Sequence, residues 1–566
     1  MLHTKPTTTT FLAASLLLIT QTLTEGVTFW KRKAIYQVIT DRFYNSSEPN
    51  CPNWKGTYCG GNWNGLIDKM DYIHGMGFTA IWVSPVQENA PNAYHGYSIV
   101  NIFKLNPHFG DETIFRNLSD VGHQHNVSIM VDVVPNHMAS VMFNFSKLTP
   151  FNRAEYFHDY CYIQGDDYAH NMWRIVNCRL LDLPDLKHEH PFVRNTLTKW
   201  VADFVHNYSI EGLRLDAVPH QPHWFLKSFS DAVNTNKTGT KNGTETYIIG
   251  ECFDPRIDFV ASYQKDIDGL LNFPMMFKAV DVFALGKTAD EIRDLWAAQF
   301  KSFDDVYALG LFLDNQDRRR FLYFIRQDMD QYYRLGNALS FIFFAPGIPI
   351  VYYGTEHEYN MADDPLNRFP LWEWRGPTMN VSGNAPTGGD PNYKPYSTQA
   401  TYYLYIKTLN HFRDLLEIYK DENNGVRHLT VTDSPDNHAN DVNLYTFQRG
   451  QAVIASPTGS FDYAGNHTLT LGGLANFKAN QQLCDIHNIT YCVNVDKTDA
   501  TKLTFEINLG RARVFVDASL VKGWDPTKTT NMAEEKPLKK PFQMSESQEK
   551  ALDEGKAGEG DDYSLF

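Results

Sequence analysis

The polar residues that could do chemistry stand at the ends of short apolar runs. Arg214 and Asp216 are two positions apart in Gly212-Leu-Arg-Leu-Asp216, so in an extended strand their side chains share one face. Glu251 follows the run Tyr247–Gly250, and Asp317 ends Leu313-Asp-Asn-Gln-Asp317. A further run ends Asp132-Val-Val-Pro-Asn136-His137. Carboxylates gathered in one cleft repel one another and cost stability unless they are used. Two such groups flanking a sugar–sugar bond are what glycosidic cleavage needs: one attacks the oxocarbenium-like centre and one protonates the leaving oxygen. Arg214 is expected to keep Asp216 ionised as a nucleophile. Glu251, beside its carboxylate neighbours, is expected to have a raised pKa suited to a general acid.

Eight runs recur along the chain: Ala34–Thr40, Phe78–Ser84, Val127–Val134, Gly212–Ala217, Tyr247–Gly250, Gly269–Phe273, Tyr307–Leu313 and Ile348–Tyr353. Near-continuous apolar strands are those buried on both faces, as in parallel sheets. With helical patterns between them, such as Gly65–Met76 and Phe192–Asn207, they predict a (β/α)8 barrel whose chemistry sits at the C-terminal strand ends. Residues 136–187 show no clear helix and read as a small inserted domain. Beyond about Glu422 the pattern alternates, in Val442–Gln448, Gln451–Ala455 and Leu503–Asn508, and predicts an antiparallel β-sandwich. The expected division is a leader over 1–26, barrel over 27–135 and 188–422, insertion over 136–187, sandwich over 423–520 and a disordered tail over 521–566.

The leader has a polar start with Lys5, an apolar stretch Phe11–Ile19 and small residues near Gly26, the pattern of a secretory signal. No run is long enough to span a bilayer. Ten N-x-S/T sequons, at Asn45, Asn117, Asn126, Asn144, Asn207, Asn236, Asn242, Asn380, Asn466 and Asn488, and seven cysteines fit a secreted chain. Cys51/Cys59, Cys161/Cys178 and Cys484/Cys492 each close a loop, leaving Cys252 odd. A net charge of −15 argues against nucleic-acid binding, which needs clustered Lys and Arg. Aromatic residues, at 14% of the chain, suit a neutral ring-shaped ligand as well as a packed core.

From about Ala34 to Val516 the chain resembles the secreted α-amylases of glycoside hydrolase family 13, of the fungal Taka-amylase type. The resemblance rests on Asp41-Arg-Phe43, Cys59-Gly-Gly61, Gly75–Trp82, Ala93-Tyr-His-Gly-Tyr97, Asp132–Met138, Leu183-Pro-Asp-Leu186, Gly212–Asp216 and Gly250-Glu251. It implies retaining cleavage of α-1,4-glucans, with Asp216 as nucleophile, Glu251 as acid/base and Asp317 as the carboxylate that holds sugar hydroxyls and stabilises the transition state. Arg214 then partners the nucleophile, His137 binds a hydroxyl, Tyr97 stacks on a sugar, and Asp364 and Arg368 bind glucose. A structural Ca²⁺ is implied too, held by the side chains of Asn136 and Asp185 and the backbone carbonyl of His220, oxygen donors that suit a hard cation. A monomer acting on a polysaccharide or oligosaccharide is expected.

Three positions depart from that pattern. Gln316 replaces the His that binds sugar hydroxyls beside Asp317, Pro219 replaces a Lys before His220, and Ser98 replaces an aromatic after Tyr97. A Gln donates and accepts hydrogen bonds but carries no charge, so weaker transition-state binding is expected. Two rival readings follow. One is an α-glucanotransferase that passes the same covalent intermediate to a sugar acceptor. The other is a non-catalytic binding protein of the same fold.

Overall fold

The computed structural model describes residues 26–45, 51–234, 245–325, 332–377, 390, 392–422, 425–435, 439–461 and 465–524. The expected leader, except for Gly26, and the expected tail beyond residue 524 lie outside the described residues.

Eight parallel strands form one sheet: β1 Ile35–Val38, β2 Ala80–Val83, β3 Ser128–Val133, β4 Gly212–Leu215, β5 Tyr247–Gly250, β6 Gly269–Leu270, β7 Gly310–Leu311 and β8 Ile348–Tyr352. Their spatial order is β6-β5-β4-β3-β2-β1-β8-β7. A parallel bridge between Leu271 and Gly310 joins the two outer strands and closes the barrel. Every strand residue is buried, as expected of runs covered on both faces.

The sixth and seventh runs make only two strand residues each, and their neighbours show why. Asn272 ends β6 because its side chain caps the helix Phe273–Ala279, accepting from the Met275 N–H at 3.0 Å. Asp305 likewise accepts from the Tyr307 N–H at 3.0 Å, which turns residues 306–308 into a 3₁₀ turn before β7. At Gly269 a Cβ would lie 2.2 Å from the Ala308 carbonyl oxygen, so only glycine lets these chain segments approach.

The insertion contains the Cys161–Cys178 disulfide and two short helices, Asp167–His170 and Met172–Asn177. Four and six residues are too few to show helical periodicity, which is why the sequence reads there as lacking a helix. A hairpin from the loop after β2, Gln87–Asn89 with Ile99–Leu105, joins the insertion through a bridge between Asn101 and Thr149. Residues outside 136–187 therefore help to build it.

After the barrel, a six-stranded and a three-stranded antiparallel sheet enclose a core that includes Leu444, Val453, Leu469, Leu503, Phe505 and Phe515. Along Lys502–Asn508 Leu503, Phe505 and Ile507 point inward and their neighbours outward, the period-two pattern of a half-buried strand. Tyr445 and Phe447 of the larger sheet pack on Phe341 of the helix Arg334–Phe344, which docks the sandwich on the barrel. Cys51–Cys59 and Cys484–Cys492 also form disulfides, and Cys252 is free and buried. Among the described residues no helix is long and apolar enough to cross a membrane.

Candidate active site

The register of β3 against β4 places Asp132 directly beside Arg214. Both side chains are fully buried, and Arg214 Nη1 donates to Asp132 Oδ1 at 2.9 Å and to Asp216 Oδ1 at 2.7 Å. Its Nη2 lies 2.9 Å from Glu251 Oε2. One guanidinium thus contacts three carboxylates from the ends of three adjacent strands. Its planar fork makes this possible, where a point-charge ammonium would reach fewer.

Backbone bonds set the ends of β4 and β5. The Asp216 N–H donates to the Val133 carbonyl at 3.0 Å, and the Glu251 N–H to the Leu215 carbonyl at 2.8 Å. Ala217 adopts a left-handed conformation, φ 53°, and its N–H donates to Glu251 Oε2 at 3.1 Å. A non-glycine residue held there is strained, and such strain clusters at functional sites. Side-chain exposure rises from 0% for Arg214 through 11% for Asp216 and 13% for Glu251 to 36% for Asp317, so the carboxylates grade from barrel interior to open mouth.

Burial raises both Asp216 and Glu251 above the ordinary carboxylate range, and Arg214 opposes the rise in each. At Asp216 Arg214 acts in the expected direction, favouring the ionised form, while desolvation is the larger effect. For Glu251 too, burial rather than its carboxylate neighbours leads. The interaction between the two carboxyls acts in opposite directions, raising Glu251 and lowering Asp216. Asp132 is pushed up to about 7 by burial, against Arg214. Asp317 is raised to about 6 by burial, against Arg368, and its greater exposure makes it the member that water moderates most.

Arg368 binds the rim. Its Nη2 contacts Asp317 Oδ1 at 3.0 Å, its Nη1 contacts Asp364 Oδ1 at 3.1 Å, and its Nε donates to the Gln316 carbonyl at 2.9 Å. Tyr97 Oη donates to Asp132 Oδ2 at 2.8 Å and accepts from Gln316 Nε2 at 3.1 Å. Gln316 Oε1 accepts from Gln37 Nε2 at 2.6 Å. Gln316 is 1% exposed, so its amide is spent on positioning Tyr97. His137 Nε2 donates to the Tyr97 carbonyl at 3.2 Å, and burial lowers this imidazole to about 4, leaving it neutral.

Asp132, Trp82 and His95 stand in the quoted motifs without an assigned role, and Gln37 stands in a strand run without one. Trp82 Nε1 donates to Asp132 Oδ2 at 3.2 Å, and the Tyr97 N–H donates to His95 Nδ1 at 3.0 Å. A charged or amide residue inside a buried apolar strand, as at Asp132 and Gln37, was the available signal.

Asn136 and Asp185 meet where Leu186 N–H donates to the Asn136 carbonyl at 3.0 Å and residues 137 and 185 form a bridge. The Oδ1 atoms of Asn136 and Asp185 are both buried without a hydrogen-bond partner. Two orphaned oxygens are costly in a protein interior and fit a bound cation. Burial pushes Asp185 up to about 7. His220, the third expected donor through its carbonyl, is buried and held by its Nδ1 on the Ile175 carbonyl at 3.0 Å. Among the described residues no three His, Cys, Asp or Glu side chains gather as a metal cluster. The expected set, one amide, one carboxylate and one backbone carbonyl, is of a different, all-oxygen kind.

A closed (β/α)8 barrel with an arginine-tied carboxylate group at its C-terminal mouth defines a barrel glycoside hydrolase. Residues 37–424 match the alpha amylase catalytic domain family. Alpha-amylase 2 of Schwanniomyces occidentalis is 33% identical over 511 residues, covering 87% of this chain and 91% of that protein. The alpha-amylase of Saccharomycopsis fibuligera is 31% identical over 508 residues, covering 86% and 92%. The solved structure of an alpha-amylase from Malbranchea cinnamomea superposes with a TM-score of 0.73 at 30% identity, covering 88% of this chain and 98% of that one. The chain belongs to the alpha-amylase family of glycoside hydrolases.

Proposed function

We infer that the chain is an α-amylase that cleaves α-1,4-glucosidic bonds of starch, glycogen and maltooligosaccharides internally and with retention. The observation that carries the residue roles is Arg214 on Asp132, Asp216 and Glu251 at once. Asp216 attacks the anomeric carbon while Glu251 gives its proton to the departing glycosidic oxygen. A covalent glucosyl–Asp216 ester forms, and Glu251, now a base, takes a proton from the water that releases it. Asp317 and Arg368 hold sugar hydroxyls at the open rim, with Asp364 as a further contact, and His137, buried and donating to the Tyr97 carbonyl, acts through Tyr97. Tyr97 supplies a ring beside the cleavage point, held by Asp132 and Gln316.

Asn136, Asp185 and the His220 carbonyl hold Ca²⁺ in this reading, and the ion's role is to tie the insertion to the barrel. The chain divides into leader, barrel, insertion, sandwich and tail as the sequence suggests. It acts as a monomer that is secreted and glycosylated, the last two supported by three disulfides and the ten sequons.

A second reading, transfer to a sugar acceptor, draws on Gln316, whose amide lies between Gln37 and Tyr97 where the family has an imidazole. Incubation with a pure maltooligosaccharide separates the two. Hydrolysis releases shorter sugars with a matching gain of reducing ends; longer products with little such gain would sink it. A Glu251→Gln variant is expected to keep its fold and lose activity, and full activity would remove Glu251 from its role.

A further inference from the structure

Away from the catalytic mouth, a cleft of about 280 Å³ opens where the sandwich meets the barrel. From the barrel it is lined by Tyr405 and the start of the helix Arg334–Phe344, and from the sandwich by His487, Asn508 and Arg511. Its size lies near the lower end of ligand sites, roughly 300 Å³, enough for one sugar ring and too small for a glucan chain.

The polar residues that line it divide into two groups. Asn337 is fully engaged: its Nδ2 donates to the carbonyls of Pro457 and Gly510, and its Oδ1 accepts from the Ala512 N–H. Asp485 is engaged by Arg513 at 2.7 Å. In contrast, His487 Nε2, Asn508 Oδ1 and Arg511 Nε are all buried atoms without a hydrogen-bond partner. His487 is 6% exposed and its ring stacks on Tyr405 at 3.9 Å. Unpartnered donors and acceptors just beneath the wall of a cleft, on residues that line it, mark a place for a neutral, hydroxyl- or amide-bearing ligand that small side-chain shifts would let them meet.

Two residues of the same wall, Asn466 and Asn488, begin the sequons Asn466-His-Thr468 and Asn488-Ile-Thr490. Asn466 is exposed and Asn488 half-buried. Asn488 Oδ1 accepts from the Thr490 hydroxyl at 2.7 Å, which leaves its amide nitrogen for a sugar bond. We propose that this cleft seats the first N-acetylglucosamine of an N-linked glycan carried by Asn466 or Asn488, bridging the sandwich and the barrel.

The tether favours this source over a free glucan. Free sugars are held by open aromatic faces, whereas Tyr405 is stacked by His487 and Tyr333 already faces the Arg511 guanidinium at 5.5 Å. A few hydrogen bonds suffice for a sugar attached at the rim, because a short linkage gives it an effective concentration in the millimolar range or above. The proposal rests on the secretory reading above.

The test uses the full chain secreted from a eukaryotic host. Glycopeptides are mapped, and the native protein is treated with a peptide N-glycosidase that cuts the Asn–sugar bond. Release from the occupied rim site is expected to be about tenfold slower than from the exposed Asn117 and Asn207, since it tracks the fraction of time the sugar spends outside the cleft. Denaturation should equalise the rates. Asn508→Ala, on a strand end, and His487→Leu should each abolish the protection, while Asn466→Gln and Asn488→Gln identify the carrier. Both rim sites empty while other sequons are occupied, or native release as fast as at Asn117, would overturn the proposal. So would maltotriose bound by the Glu251→Gln protein and lost on adding Asn508→Ala. If no sequon carried sugar, the secretory reading would fall with it.

Discussion

Replacing Arg214 by Met keeps the volume of the side chain and removes the one charge that three carboxylates share. Its nitrogens lie 2.7 Å from Asp216 and 2.9 Å from both Asp132 and Glu251. At a charge separation of about 4 Å and an effective dielectric near 20, each pairing is worth about 4 kcal/mol. Losing it pushes Asp216 and Glu251 further up, since the charge that opposes their burial is gone. Arg214 now opposes the upward push of burial on both groups, so the sign is fixed: the whole bell-shaped profile of kcat/KM moves alkaline. At pH 6 kcat/KM on a maltooligosaccharide should fall by up to about 10³-fold, the factor that about 4 kcal/mol is worth, and part of the loss should return as the pH is raised. Stability follows the same linkage. A carboxylate whose folded pKa is raised stabilises the fold below its unfolded pKa and loses that contribution as pH climbs to the folded value. The variant should therefore melt close to the parent in acid and well below it at neutral pH. Arg214→Lys should fall between, since an ammonium cannot span the fork. An activity loss equal at every pH, with the acidic limb unmoved, would refute the electrostatic role and leave Arg214 a purely structural strut.

Chelation should destabilise the protein by roughly 3 kcal/mol if the cation is normally present at about a hundred times its dissociation constant. Asp185→Asn should make the melting temperature insensitive to chelator, and identical transitions with and without chelator in the parent would remove the cation. Asn45 should carry no glycan although it begins a sequon, because it is 8% exposed and its Nδ2 donates to the Cys59 carbonyl at 2.9 Å. Glycopeptide mapping checks this, and Asn45→Ala should cost about 1–3 kcal/mol through the unsatisfied carbonyl without changing the mass of the glycans.

All eight barrel strands were legible, because a run buried on both faces is apolar at most positions and needs no partner to be recognised. Asp216, Glu251 and Asp317 were legible for the complementary reason, being charges at the ends of such runs. Asp132 was not, because it stands within a run and its meaning depends on Arg214, 82 residues later, falling beside it in the register of β3 and β4. The shortness of β6 and β7 was hidden as well: capping at Asn272 and Asp305 competes with strand extension only once the following turns exist.

Local pattern thus determined the barrel, the sandwich, the positions of the proposed catalytic carboxylates and a loop-closing partner for six of the seven cysteines, since each depends on residues near one another in the chain. Tertiary structure decided the balance of forces at the site. Burial outweighs Arg214 at Asp216, Gln316 turns inward to Tyr97, and Asn136 and Asp185 are left with orphaned oxygens. Desolvation and hydrogen-bond satisfaction depend on everything that surrounds a group, and strands distant in sequence supply most of those surroundings.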